Sequence, residues 1–91
     1  MIELTHIHDS GHGWIKAPLG LVYSLGLTPS RYSYFDHAHA YLEEDCDAPR
    51  FIRALTAHAL DHRIRSVYHE GDSPIRSMRR FNPAPAQPSL I

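Results

Sequence analysis

Alternation of hydrophobic and polar positions predicts a strand at the start of this chain. The segment MIELTHIH places successive side chains on opposite faces, as a strand requires. The face that we expect to be buried carries Ile2, Leu4, His6 and His8. The triplet Asp9-Ser10-Gly11 is typical of a turn, because Asp and Ser bond to their own backbone and Gly tolerates positive φ. Residues 12–17 then form the predicted return strand of a first hairpin.

Later segments predict a second hairpin, a further strand and two helices. The aromatic runs 31–35 and 38–44 form the hairpin, and residues 64–69 the strand. Pro18 begins a short helix, and Asp47 is the expected N-cap of a longer one. The apolar face of that longer helix comprises Phe51, Ile52, Leu55, Ala59 and His62. Ser73-Pro74 caps a predicted last helical turn, with a strand over residues 75–81 as the alternative.

The resulting order, ββαββαβ, predicts an α+β domain. We expect an antiparallel-dominated sheet with the helices packed on one face. The 91 residues leave room for one core, so residues 1–81 are predicted to form a single domain. Residues 82–91 (NPAPAQPSLI) are rich in proline and are predicted to be disordered or to lie extended on the surface.

Composition excludes several classes of protein. A single cysteine, Cys46, excludes an internal disulfide and a cysteine-rich zinc site, and it suits a reducing cytoplasm. No apolar run approaches the roughly 20 residues of a membrane span, and the N-terminus lacks the pattern of a signal peptide. We therefore predict a cytoplasmic protein without membrane contact.

Charge is distributed unevenly along the chain. Residues 1–49 carry two basic and seven acidic side chains, a balance of −5. Residues 50–80 carry seven arginines and three acidic side chains, a balance of +4. The sequence therefore predicts an acidic patch and a basic patch, unless folding interleaves the two halves.

Eight histidines are the most distinctive feature of the composition. In HIHDSGH, the side chains of His6, His8 and His12 provide candidate ligands for zinc or another divalent transition metal. The alternative, which we favour, is a structural hairpin whose histidines pack against neighbouring aromatic rings. The pair His58 and His62 is predicted on one helix face, but Ala59 replaces the glutamate of the HExxH metalloprotease motif.

The segment YLEEDCD holds four carboxylates within five residues. Glu43, Glu44 and Asp45 form a predicted acidic ridge, which we interpret as the contact with a protein partner. Cys46 is a candidate nucleophile with histidines available as bases, but the neighbouring carboxylates oppose formation of a thiolate. A small buried cysteine is the default interpretation.

Arginines near the end of the domain suggest an alternative function. Arg76, Arg79 and Arg80 with Phe81 form a basic and aromatic segment of the kind that nucleic-acid-binding proteins use. The whole chain is slightly acidic, however, which is not typical of that class. Nucleic-acid binding is therefore kept as an alternative.

Five short segments carry a resemblance. They are SGHGW at 10–14, YSY at 32–34, YLEEDCD at 41–47, IRS at 75–77 and RF at 80–81. Together they resemble a group of short uncharacterised proteins found in bacteria, their phages and plasmids, over most of the chain before residue 82. The segment DHAHA, which holds His37 and His39, departs from the usual linker of that group. The resemblance assigns no residue a role; it implies an accessory protein of mobile DNA that binds host or defence proteins.

The sequence leaves three functional hypotheses, of which protein binding is the first. In this hypothesis the chain is a mobile-element protein that lacks a complete set of catalytic residues and needs no cofactor. It inhibits a host defence complex through the acidic ridge. The second is a histidine-ligated metal protein or small metal-dependent hydrolase. The third is a nucleic-acid-binding module.

Overall fold

The computed structural model describes residues 1–81, which fold into six strands, two α-helices and one 3-10 helix. The strands are β1 (Ile2–His8), β2 (Gly13–Pro18), β3 (Tyr34–Phe35), β4 (His39–Glu43), β5 (His62–Tyr68) and β6 (Arg79–Arg80). The α-helices are α1 (Leu19–Ser24) and α2 (Asp47–Ala57), and the 3-10 helix is Pro74–Ser77. The predicted α+β class is confirmed. The prediction for the proline-rich tail falls on residues 82–91, outside the described part.

The six strands form one mixed sheet in the order β5-β1-β2-β4-β3-β6. Every neighbouring pair is antiparallel except β1 and β5, which run parallel. A parallel pair needs a crossover connection, and α2 supplies it by carrying the chain from β4 to the far edge of the sheet. The sheet is therefore antiparallel-dominated, as the sequence predicts, but it is not purely antiparallel.

Both α-helices pack on one face of the sheet, where the main core lies. Register explains the composition of this face, because Ile15 of β2 lies opposite His6 of β1 and Leu42 of β4. The largest fully buried apolar side chains of the core are Phe51, Leu42, Leu55 and Val22. The other face has no α-helix, and a smaller cluster forms under the 3-10 helix. Its members are Trp14, Tyr34, Tyr41 and Ile75, with Ile7 and Met78 at its border.

The start of α2 corrects the predicted cap. Asp47 is the first helical residue, and the N-cap position falls on Cys46, which makes no side-chain capping bond. The buried Asp47 carboxylate instead accepts hydrogen bonds from the Ser30 amide, the Ser30 hydroxyl and the Ser33 hydroxyl. It therefore joins the helix to the preceding loop rather than closing the helix end.

The end of α2 corrects the predicted histidine pair. The helix stops at Ala57, and the Leu60 amide donates to the Leu55 carbonyl at 2.9 Å, with Ala59 in the left-handed region at φ 53. This is the C-terminal geometry that glycine usually provides. His58 is the C-cap and His62 begins β5, so the prediction that both lie on one helix face is wrong.

The last part of the domain contains both predicted alternatives. Ser73 caps the 3-10 helix by accepting a hydrogen bond from the Ile75 amide, and the two-residue strand β6 follows. Strand β5 begins two residues earlier than predicted and lies at the edge of the sheet, exposed over most of its length. Neither α-helix in residues 1–81 is long and apolar enough to cross a membrane.

Candidate binding site

A buried carboxylate fixes the first hairpin against the 3-10 helix. Asp9 accepts hydrogen bonds from the amides of Gly11 and His12 within its own turn, and from the amide of Ser73 at the start of the 3-10 helix. The guanidinium of Arg76 donates two further bonds of 2.9 Å to the same carboxylate. These bonds, led by that from Arg76, hold the pKa of Asp9 far below its usual value. The hairpin and the 3-10 helix are therefore joined along the border of the sheet face that carries no α-helix.

Next to this border lies a pocket of about 280 Å³. Its walls come from the first hairpin, the loop before β3, the end of β4 and strand β6. The lining residues are His12, Trp14, Tyr32, Tyr34, Glu43, Asp45, Cys46 and Arg80. We call this the aromatic pocket. It brings together residues from all three candidate sets, namely the acidic ridge, the histidines and the arginines.

Three aromatic side chains form the walls of the aromatic pocket. Trp14 and Tyr34 are buried and meet edge to face with ring centroids 6.2 Å apart. Tyr32 differs, because 52% of its surface is exposed. The pocket therefore has a fixed base and one accessible ring at its rim.

Each of these rings also lies near an arginine. The guanidinium carbon of Arg80 is 5.0 Å from the Tyr34 centroid, that of Arg76 is 5.8 Å from the Trp14 centroid, and that of Arg31 is 5.8 Å from the Tyr32 centroid. All three distances fall within the range of cation–π attraction. The ring faces in this part of the molecule thus accept guanidinium groups.

The acidic ridge is divided by the alternation of β4. The Glu43 carboxylate accepts from the amides of Asp45 and Cys46, so it stabilises the turn that leads into α2. Glu44 lies on the other side of the sheet, where its Oε2 is 2.9 Å from Nε2 of His6. Asp45 is exposed at the rim of the aromatic pocket. Of the three predicted contact residues, only Glu43 and Asp45 share a surface.

Cys46 lies in the aromatic pocket but is not activated. Partial desolvation, a hydrogen bond with Glu43 and the nearby carboxylates raise the pKa of the thiol above its usual value. Since the thiolate is the reactive form, this environment opposes nucleophilic catalysis. The side chain is exposed, contrary to the default prediction of a buried cysteine.

The histidines predicted as metal ligands lie in two places. The rings of His6 and His8 stack with centroids 5.0 Å apart on the same face as α2, and Nδ1 of His6 lies 3.3 Å from the Ser66 hydroxyl. His12 instead packs against Trp14, at a centroid distance of 6.0 Å. No group of three or more potential ligands converges on one point within residues 1–81.

The predicted basic segment is likewise divided. Arg76 is bound to Asp9, while Arg79 and Arg80 lie opposite Phe35 and Tyr34 in the register and so face opposite sides of the sheet. Ion pairs also join the two halves of the chain, because Glu3 pairs with Arg63 and Asp9 with Arg76. Folding thus interleaves part of the charge that the sequence separates.

Sequence reasoning did not single out the aromatic walls of the pocket. The structure places residues from four of the five segments quoted for the resemblance around it: SGHGW, YSY, YLEEDCD and RF. Tyr32 and Tyr34 alternate with the buried Ser33, whose backbone carbonyl accepts from the Phe81 amide at 2.9 Å. The alternation of Tyr32, Ser33 and Tyr34 indicates that the two tyrosines share one face of an extended segment. It does not indicate which strand pairs with that segment.

The chain matches no protein-family model, no curated protein and no solved structure. Its function is therefore argued from the geometry of the described residues.

Proposed function

We propose that this protein is a non-catalytic binding module that recognises a protein partner through the aromatic pocket. The observation that carries the proposal is the combination, in one concavity, of Trp14, Tyr32 and Tyr34 with the exposed carboxylate of Asp45. Tryptophan, tyrosine and arginine are the residue types that dominate binding hot spots between proteins. A buried base with an exposed ring at the rim provides a rigid anchor and an adaptable contact.

The charge of the pocket, two carboxylates against the guanidinium of Arg80, supports a basic side chain as the complementary group on the partner. The carboxylates of Glu43 and Asp45 line the pocket beside the exposed ring of Tyr32. A lysine or arginine of the partner would replace Arg31 at the Tyr32 ring and pair with Asp45. The resemblance to short proteins of phages and plasmids adds the context, in which the partner is a host protein such as a component of a defence complex.

A titration with blocked amino acids tests the chemistry of the pocket without knowledge of the partner. N-acetyl-arginine amide is added to the ¹⁵N-labelled protein, with N-acetyl-glutamate amide as the comparison. We expect arginine, but not glutamate, to shift the Trp14 indole signal and the Asp45 amide signal. Equal responses to both compounds, or none to either, contradict the proposed recognition of a cationic side chain.

Matched variants test the surface against a real partner. Tyr32→Ala removes the exposed ring of the pocket, and Tyr23→Ala removes a ring of similar exposure, 55%, from α1. Asp45→Lys reverses the charge at the rim, with Asp61→Lys as its control. Partners recovered with the wild type should remain with the controls and weaken at least about tenfold with the pocket variants. Retention of every partner by Tyr32→Ala and Asp45→Lys would refute the proposal.

A further inference from the structure

A second concavity lies on the sheet face that carries no α-helix, and it shares no residue with the aromatic pocket. It has a volume of about 410 Å³ and lies between strands β1 and β5 on one side and the 3-10 helix on the other. The lining residues on which the argument rests are Ile7, Lys16, Arg65, Val67, His69 and Ile75. We call it the sheet groove. Its size falls in the range of sites for small molecules.

The floor of the sheet groove is apolar and open to solvent. Ile7 and Val67 lie opposite each other on neighbouring strands, and Ile75 and Met78 border them from the 3-10 helix side. Val67 keeps 40% of its surface exposed, so an apolar part of the floor faces solvent. An apolar ligand would remove this surface from water, which is favourable.

Two cations stand at one end of the sheet groove. Thr5 of β1 lies opposite Lys16 of β2 and opposite Arg65 of β5, so both basic side chains project from the same face. With neighbouring strands roughly 4.8 Å apart, their Cα atoms are about 10 Å apart. Neither forms an ion pair with any residue in 1–81, in contrast to Arg63, which pairs with Glu3. Both charges are therefore available to a ligand.

An unsatisfied polar atom lies at the other end of the sheet groove. Nδ1 of His69 is buried and has no hydrogen-bond partner among the residues described. The backbone of His69 is fixed, because its amide donates to the His8 carbonyl at 2.8 Å. Buried polar atoms nearly always have a partner in folded proteins. The atom is therefore unusual, but His69 follows β5 directly, four residues beyond Arg65, so its ring would report contact with the apolar end of a ligand.

We infer that the sheet groove binds a small amphipathic anion, a molecule with an apolar body and one carboxylate or phosphate group. The apolar body lies on Ile7 and Val67, and the anionic group pairs with Lys16 and Arg65. A cation pair of this kind suits either head group, since lysine and arginine both bind carboxylates and phosphates. The inference does not depend on the function proposed for the aromatic pocket.

Titration of the ¹⁵N-labelled full chain with four probes tests this inference. Octanoate and octyl phosphate carry both parts of the expected ligand, octanol lacks the charge, and acetate lacks the apolar body. We expect saturable shifts at the amides of Ile7 and Val67 and at the His69 ring with at least one of the first two probes. Octanol and acetate should bind about tenfold more weakly or not at all. The stronger of the two anionic probes identifies the head group.

Variants distinguish a specific binding site from nonspecific binding of a detergent-like molecule. Lys16→Gln combined with Arg65→Gln should weaken binding of the anionic probe by about tenfold or more, while Arg53→Gln on the opposite face should leave it unchanged. The amide spectrum of each variant checks that it is folded. The inference is overturned if the anionic probes fail to saturate, if octanol binds as tightly, or if the double variant binds like the wild type.

Discussion

The carboxylate of Asp9 and the guanidinium of Arg76, 67 positions apart in the chain, meet through two hydrogen bonds of 2.9 Å. The Asp9 side chain is 1% exposed, and three backbone amides donate to the same group. One carboxylate therefore accepts the backbone hydrogen bonds of the first hairpin's turn and also binds the 3-10 helix to the sheet. Both the aromatic pocket and the sheet groove border this connection.

Replacement of Asp9 by asparagine should destabilise the whole domain. The amide nitrogen of asparagine cannot accept a hydrogen bond, so part of the buried network loses its acceptor. We expect the midpoint of thermal unfolding to fall by roughly 10 °C or more. Asp72→Asn is the matched control, because Asp72 is 90% exposed and only 3.8 Å from the same guanidinium. Equal effects of the two changes would contradict the assigned role of Asp9.

Acid should destabilise the protein through two carboxylates whose pKa values are lowered in the folded state. Hydrogen bonds led by that from Arg76 lower the pKa of Asp9, and bonds from the Ala38 amide and the Tyr41 hydroxyl lower that of Asp36. In the unfolded chain the pKa of an aspartate is about 3.9. Their contribution is therefore complete above about pH 5 and is lost as the pH falls below about 4.

Urea unfolding between pH 2 and pH 7 measures this effect. The free energy of unfolding of the wild type should fall steeply below about pH 4. Asp9→Asn should start lower and fall less, so that the two curves approach each other in acid. Parallel curves over the whole range would show that Asp9 does not contribute through its charge.

The sequence predicts the elements of this domain better than their partners. Alternation identifies β1 and β5, but the parallel pairing of Leu4 with Ile64 depends on the crossover through α2, which no local pattern encodes. The aromatic pocket shows the same limit. Trp14 and Arg80 are 66 positions apart, and only the strand order β2-β4-β3-β6 brings their segments to one pocket.

Predictions from local sequence also fail where a side chain bonds to a residue that is distant in sequence instead of to its usual local partner. Asp47 has the residue type and position of an N-cap. Its carboxylate instead accepts hydrogen bonds from the hydroxyls of Ser30 and Ser33, which lie outside the helix and which capping rules do not consider. His6 likewise lies on the predicted buried face, yet it lies beside Glu44 at the end of the sheet. In both cases a partner distant in sequence determines the role of the side chain.

Gly13 should control the contact between His6 and Glu44. A Cβ at this position would lie 2.6 Å from Nε2 of His6 and 2.7 Å from the carboxyl carbon of Glu44, too close for either to stay in place. Both are the ends of partly exposed side chains, so the pair can open without moving the sheet. Gly13→Ala should therefore shift the imidazole signals of His6 while lowering the free energy of unfolding by only about 1 kcal/mol.

Gly20 in α1 provides the control for this substitution. A Cβ there would meet nothing within 4 Å, so Gly20→Ala adds a methyl group without a clash. It should stabilise the protein by about 0.5–1 kcal/mol and leave the His6 signals unchanged. A shift of the His6 signals in both variants would show that the contact does not depend on Gly13.

Replacement by glycine should change the free energy of unfolding in opposite directions at Ala59 and at Ala57, which lie two positions apart at the end of α2. Ala59 has φ 53, a left-handed conformation that costs an L-residue with a Cβ about 1 kcal/mol relative to glycine. Ala59→Gly should therefore raise the free energy of unfolding by about 0.5–1 kcal/mol. Ala57 is the last residue of the helix, where glycine increases the entropy of the unfolded chain, and Ala57→Gly should lower the free energy by a similar amount. Urea unfolding of the two variants at neutral pH measures both changes. Destabilisation by Ala59→Gly would mean that α2 does not end in the left-handed turn.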